Sequence, residues 1–135
     1  MSGHEISWLG ADAYIDRRKD LPKRAFAFVH LGANIGAARQ PNLIQASSDT
    51  LEQWALAAMN GEGLNVNRKA ARSATPFGEA AVFKRAGAQY VALVCDNDAF
   101  HNPADRWPDA VDVAALARYA AAFAKGVLEL AQQRP

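Results

Sequence analysis

The apolar run Tyr90-Val91-Ala92-Leu93-Val94 is the stretch on which the fold of this chain depends. Its length and its flanks are typical of a buried strand. It is followed by Phe100-His101-Asn102-Pro103-Ala104-Asp105-Arg106-Trp107-Pro108-Asp109, and a long helical pattern begins at Val111-Asp112. This order of strand, loop and helix places His101 at the carboxyl end of a strand, where ligands usually bind in open α/β sheets.

Strand and helix patterns alternate along the rest of the chain, with short connections and no internal repeat. Further strands are predicted at residues 25–31 and 43–46, with an edge strand at residues 64–67. Helices are predicted over a first segment that reaches about Arg18, over residues 50–59 and 79–86, and from Asp112 onward. This alternation predicts one α/β domain over residues 1–135, in which helices cover both faces of a mixed, mostly parallel sheet of about four strands.

The composition excludes several classes of protein. With 135 residues, 50% of them hydrophobic, the chain can bury one core. A net charge of +1, without any Lys/Arg run longer than Arg17-Arg18-Lys19, gives no basic face for nucleic acid. The single cysteine, Cys95, excludes an internal disulfide, and we expect it to be a small residue of the core. Because the first residues form no secretory signal and no apolar stretch approaches the roughly 20 residues of a membrane span, we expect a soluble, cytoplasmic protein without membrane or nucleic-acid partners.

Several single residues leave more than one interpretation open. His101 is either a metal ligand or a structural histidine that is hydrogen-bonded to Asp105 or to the loop backbone. Asp96 and Asp98 lie just upstream and could add carboxylates to a site, although turn formation explains them equally well. His30, near the end of a predicted strand, is more typical of a core or rim histidine.

Three segments, in this order, resemble the zinc-dependent exopeptidases of the aminopeptidase and glutaminyl-cyclase type, which use two metal ions on a mixed α/β sheet. The first, Gly3-His4-Glu5-Ile6-Ser7-Trp8-Leu9-Gly10-Ala11-Asp12-Ala13-Tyr14, is similar to the acidic-pair motif of that family. The second, Gly78-Glu79-Ala80-Ala81-Val82-Phe83-Lys84-Arg85-Ala86-Gly87, is similar to the helix before the last core strand. The third, Phe100-His101-Asn102-Pro103-Ala104-Asp105, resembles the closing histidine motif. The resemblance covers nearly the whole chain, which would correspond to the C-terminal half of such a catalytic domain.

The resemblance implies roles for three residues. Glu5 falls on a zinc-binding glutamate and His101 on a zinc-binding histidine of the same metal, and both are ordinary zinc ligands. His4 falls on the glutamate that serves as the general base, a role that an imidazole can also fill at neutral pH. The aspartate ligand expected after the strand at residues 25–31 falls on Gly32 or Ala33, neither of which binds metal. The resemblance therefore implies a degenerate zinc site.

Two functional classes follow. The first is a metallopeptidase-like hydrolase of the aminopeptidase type, in which zinc-activated water attacks a peptide bond, or an incomplete or inactive form of such a hydrolase. The second is a noncatalytic binding or subunit-association module derived from the same fold. In both cases we expect an edge of the sheet to be covered by a second copy of the chain or by a partner chain.

Overall fold

The structure, a computed structural model, describes residues 4–37 and 42–132. Within these residues the chain forms five α-helices and four β-strands, preceded by a short 3-10 helix at His4–Ile6. The helices are α1 (Leu9–Arg17), α2 (Leu21–Arg24), α3 (Asp49–Gly61), α4 (Ala80–Arg85) and α5 (Val113–Gln132). The strands are β1 (Phe28–Leu31), β2 (Asn42–Ala46), β3 (Arg68–Lys69) and β4 (Tyr90–Cys95).

The four strands form one mixed sheet in the order β1-β4-β2-β3. β4 pairs in parallel with β1 and antiparallel with β2, and β2 pairs in parallel with β3. The strand predicted from the apolar run is therefore an inner strand, flanked on both sides. The predicted α/β class with a mixed sheet of four strands is confirmed.

Alternate side chains of β4 are buried in two separate clusters. Val91, Leu93 and Cys95 pack with α3 and α5 in the larger cluster. Tyr90 and Ala92 pack on the other face, in a smaller cluster that includes the first residue of α4. Because successive side chains of a strand point to opposite faces, helices on both faces are needed to bury an apolar run of this kind.

The edge strand lies four residues later in the chain than predicted. Residues 64–67 were expected to form it, but β3 is Arg68–Lys69, which pairs with the middle of β2. Leu64 is instead buried in the larger core cluster, and its amide donates to the carbonyl of Met59 at the end of α3. The prediction of a strand at residues 64–67 was wrong, because Leu64 packs in the core at the end of α3. The backbone that pairs with β2 therefore begins later, at Arg68.

The helix ends follow the signals in the sequence. Ser48 caps α3, since its Oγ accepts a hydrogen bond from the amide of Leu51. Asp112 caps α5 in the same way, with its Oδ1 2.9 Å from the amide nitrogen of Ala115. Gly87, with φ of 74°, ends α4 in a left-handed conformation. None of the helices described is both long and apolar enough to cross a membrane.

Gly126 allows α3 and α5 to approach each other closely. It is buried in the middle of α5, and its carbonyl accepts a hydrogen bond of 3.1 Å from the indole nitrogen of Trp54 on α3. A Cβ atom at this position would lie 2.9 Å from the Trp54 ring and 3.2 Å from the Cβ of Ala58. A glycine usually weakens a helix, so its place here is explained by the packing of the indole ring.

We predict that Gly126→Val destabilises the protein by about 2 kcal/mol, because the added side chain forces the helices apart. Ala124→Val, at an exposed position of the same helix, is the matched control and should cost only about 0.5 kcal/mol through helix propensity. Urea unfolding followed by circular dichroism measures both. Equal losses in the two variants would contradict the close packing at Gly126.

Candidate functional site

The loops that follow β1 and β4 lie at the same edge of the sheet because these strands are parallel. The pairing continues past the strand ends, where the amide of Gly32 donates to the carbonyl of Leu93 and that of Cys95 donates to the carbonyl of Ala33. The 3-10 helix and the segment before α4 reach the same region. Together these elements gather all three histidines of the chain with two glutamates. We call this group the histidine cluster: His4, Glu5, His30, Glu79 and His101.

Glu79 is the centre of the inner half of the cluster. Its side chain is only 10% exposed, and each carboxylate oxygen contacts a different imidazole. Oε1 lies 2.9 Å from Nδ1 of His4, and Oε2 lies 3.3 Å from Nε2 of His30. One buried carboxylate therefore joins two histidines that are far apart in the sequence.

The alternation of side chains along β1 explains why His30 reaches Glu79. Phe28, two residues earlier, stacks on Phe83 of α4 with ring centroids 4.3 Å apart. Because residues i and i+2 of a strand share a face, His30 also points towards the α4 side of the sheet. Its side chain is 13% exposed.

Burial and the contacts within the inner half of the cluster shift the pKa values of Glu79 and His30. Burial alone would raise the pKa of Glu79, but hydrogen bonds from His4 and His30 and from its own backbone lower it to about 2. Burial lowers the pKa of His30, against the opposing effect of Glu79. At neutral pH the inner half therefore contains a carboxylate beside a neutral His30.

Gly78 makes room for the imidazole of His30. Its φ of 63° is a left-handed conformation that favours glycine. A Cβ atom there would lie 3.1 Å from Cε1 of His30 and 3.7 Å from Cε1 of His4. The first distance is tighter than an ordinary contact and the second is not, so the absence of a side chain at Gly78 allows the ring of His30 to lie beside Glu79.

The outer half of the cluster contains the three residues that the sequence singled out. Oε1 of Glu5 lies 3.9 Å from Nε2 of His4 and 3.6 Å from Nε2 of His101. The side chains of His4, Glu5 and His101 are 45%, 73% and 63% exposed. The structure thus brings together His4, Glu5 and His101. Gly3, which begins the first motif, lies outside the described residues.

His101 sits in a constrained part of its loop. Its φ is 62°, and its ring packs on the neighbouring Phe100 with centroids 4.0 Å apart. Asp105, the alternative partner suggested by the sequence, accepts a hydrogen bond of 2.6 Å from the side chain of Asn97. Nε2 of His101 itself lies 3.6 Å from the carboxylate of Glu5.

The outer residues have the right donor atoms for zinc, which binds carboxylate oxygen and imidazole nitrogen. Ligands of tetrahedral zinc lie about 3.3 Å apart, a little closer than the distances found between Glu5 and the two imidazoles. Within residues 4–37 and 42–132, no three His, Cys, Asp or Glu side chains form a ready metal-binding group. The side chains of Glu5 and His101 are more than half exposed, whereas that of His4 is 45% exposed and is hydrogen-bonded to Glu79.

Other candidate ligands lie elsewhere or are absent. Asp96 forms an ion pair with Arg68 of β3. Gly32 and Ala33, where the resemblance would require an aspartate, instead line a cavity of about 160 Å³. Cys95 is fully buried, and burial raises the pKa of its thiol, as expected for a core cysteine.

Glu79 was not identified from the sequence as part of a site. It was read only as the start of the helix predicted at residues 79–86, and His30 was read as a core or rim residue. The available signal was that Glu79 directly precedes the apolar run Ala80-Ala81-Val82-Phe83. This run is buried in the structure. A buried carboxylate needs a partner, but the sequence does not show which residue that is.

Comparison with models of protein families, with curated proteins and with solved structures finds no match for this chain. The resemblance to zinc exopeptidases therefore stays an interpretation of the sequence.

We predict that stability falls as the pH is lowered from about 7 to 5, and that His30 contributes to this slope. The pKa of His30 is lower in the folded state than its ordinary value of 6.5, so the unfolded chain binds more protons in this range. The loss is at most about 1.4 kcal/mol per pH unit for one group. Glu79 does not contribute there, because its folded pKa is about 2 and its stabilising effect is lost only below its ordinary value of 4.5.

Urea unfolding at several pH values, with wild type and His30→Asn, tests this expectation. The variant should show a shallower decrease in the free energy of unfolding between about pH 7 and 5. The same slope in both proteins would contradict a buried, neutral His30.

Proposed function

We propose that this chain is a zinc-dependent, metallopeptidase-like hydrolase of the aminopeptidase type, in which Glu5 and His101 hold the metal. The main support is the position of the Glu5 carboxylate, which lies within 4 Å of Nε2 of both His101 and His4. These residues come from opposite ends of the chain and meet at the carboxyl ends of two parallel strands. Such an edge is the usual place for a ligand in an open α/β sheet.

The chemistry assigned to each residue follows from its atoms. Glu5 would supply a carboxylate oxygen and His101 an imidazole nitrogen, both of which are ordinary donors to zinc. Zinc held by these two residues would supply the polarisation that activates water for attack on a peptide carbonyl. His4 is the general base, since its Nε2 lies 3.9 Å from Oε1 of Glu5.

A peptide substrate fits the surroundings of the cluster. The cavity of about 160 Å³ beside His4 is lined largely by apolar side chains, including Phe77, Val94 and Phe100. A cavity of about 150 Å³ can hold benzene, so this one has room for one apolar side chain. The proposed substrate is therefore a peptide with an apolar residue at the bond to be cleaved. The zinc-exopeptidase fold is proposed on the same grounds, together with the three motifs.

We predict that the purified wild-type chain holds zinc in solution and that His101→Ala loses it. Removal of one of two protein ligands leaves the ion without a stable site. Asp109→Ala, at an exposed position of the same loop, is the matched control and should keep its zinc. Inductively coupled plasma mass spectrometry after dialysis measures the metal content. A folded wild-type protein without zinc would refute the hydrolase proposal, and equal zinc in all three proteins would refute the role of His101.

The exposed edge of the sheet supports a second candidate function, a noncatalytic module that associates with a second copy of itself. In the described part of the chain β1 is an edge strand. Phe26, two residues before β1, and Leu31, its last residue, are about half exposed. The segment 25–31 contains no charged residue and no proline, the features that usually prevent edge strands from pairing. Two copies of β1 could therefore pair antiparallel around a twofold axis and extend the sheet.

For this candidate we predict a dimer at micromolar concentration that Leu31→Lys converts to a monomer. A lysine at the edge places like charges opposite each other in a twofold pairing. Val113→Lys, which changes an exposed apolar residue on α5, is the matched control and should remain dimeric. Size-exclusion chromatography with light scattering gives the mass. A wild-type monomer would refute pairing through β1.

A further inference from the structure

We propose that Glu79 is a positioning residue that holds His4 in the tautomer with its proton on Nδ1, so that the unprotonated Nε2 faces Glu5. This inference rests on the proposed function, since it explains how His4 is made ready to act as a base. It is carried by the two hydrogen bonds of the buried Glu79 carboxylate to His4 and His30. Neither bond is needed for zinc to bind Glu5 and His101.

Glu79 is the fixed member of its pair with His4. The residues that follow it, Ala80–Phe83, are all buried, and the carbonyl of Glu79 accepts a hydrogen bond from the amide of Val82. His4 lies in a 3-10 helix of three residues, none of which is buried. The imidazole of His4 is therefore the side chain that needs to be held in place, and the carboxylate of Glu79 holds it.

His30 stabilises the carboxylate of Glu79 from the other side. Its Nε2 binds Oε2, so that each oxygen of the carboxylate is directed to one ring. Within the described residues Nδ1 of His30 is buried and has no hydrogen-bond partner. A buried acceptor without a partner is tolerated better than a buried N–H, which indicates that the proton of His30 is on Nε2.

The tautomer of His4 follows from the same rule. An ionised carboxylate only accepts hydrogen bonds, so both ring nitrogens that contact Glu79 are donors. Nδ1 of His4 then carries the proton, and Nε2 of the neutral ring has a free lone pair that points towards Glu5, 3.9 Å away. Histidines in metal sites are commonly oriented by a carboxylate on the second ring nitrogen in this way.

The tautomer can be measured without zinc or substrate. We expect the ¹⁵N shifts of the ring nitrogens, from long-range ¹H–¹⁵N spectra of the metal-free full chain at about pH 8.5, to show His4 mainly with its proton on Nδ1. Glu79→Met keeps a side chain of similar length but removes the strong acceptor, so that this form is no longer dominant. Glu79→Asp retains a carboxylate and should restore the form in part.

Two controls separate the role of Glu79 from general effects. Glu52→Gln changes another partly buried glutamate, which pairs with Lys69, and should leave the His4 spectrum unchanged. Glu5→Gln removes the carboxylate that faces Nε2 and should also leave the proton on Nδ1. If Glu79→Met does not fold, Glu79→Gln replaces it: each terminal atom contacts a different ring, so the amide NH₂ faces one ring as a donor, and that ring must change its tautomer to accept from it.

The outcomes distinguish this inference from the proposed function. A wild-type His4 with its proton on Nε2, or spectra of both rings that Glu79 variants leave unchanged, would overturn the role of Glu79 even in a protein that binds zinc. The expected spectra in a protein without zinc would support the hydrogen-bonding role of Glu79 and refute the hydrolase. We expect both results in the same protein: zinc binding that depends on His101 and a tautomer of His4 that depends on Glu79.

Discussion

The burial of β4 on both faces is the constraint on which the rest of the structure depends. Its alternating apolar side chains need a helical layer on each side, which α3 and α5 provide on one face and α4 on the other. The parallel pairing with β1 then brings the carboxyl ends of two strands to one edge. The long loop from β4 to α5 begins at that edge. The packing of the sheet therefore places His101 in the histidine cluster.

The histidine cluster combines an inner half, in which Glu79 and His30 are largely buried, with an exposed outer half. Inside, Glu79 is ionised although it is buried, because hydrogen bonds from His4 and His30 outweigh the cost of burial. Outside, Nε2 of His101 and Oε1 of Glu5 lie 3.6 Å apart, and both side chains remain largely exposed. For the proposed function, the buried carboxylate would orient His4 beneath two exposed side chains that would hold the metal.

Much of the candidate site could be read from the sequence, and the part that could not has a clear physical reason. His4, Glu5 and His101 were identified because a resemblance named their motifs, and the structure places them side by side. Glu79 and His30 were not identified, because their importance lies in a contact between them. A single glutamate before a helix is fully explained by the helix dipole until its burial is known.

The same division holds for the fold. Local patterns in the sequence determined the α/β alternation, the apolar run of β4 and the start of α5 near Asp112, since each depends on neighbouring residues only. Tertiary structure decided the order of the strands, the position of β3 and the meeting of Glu79 with two histidines. These features depend on which surfaces exclude water from one another, and that free energy belongs to residues far apart in the chain.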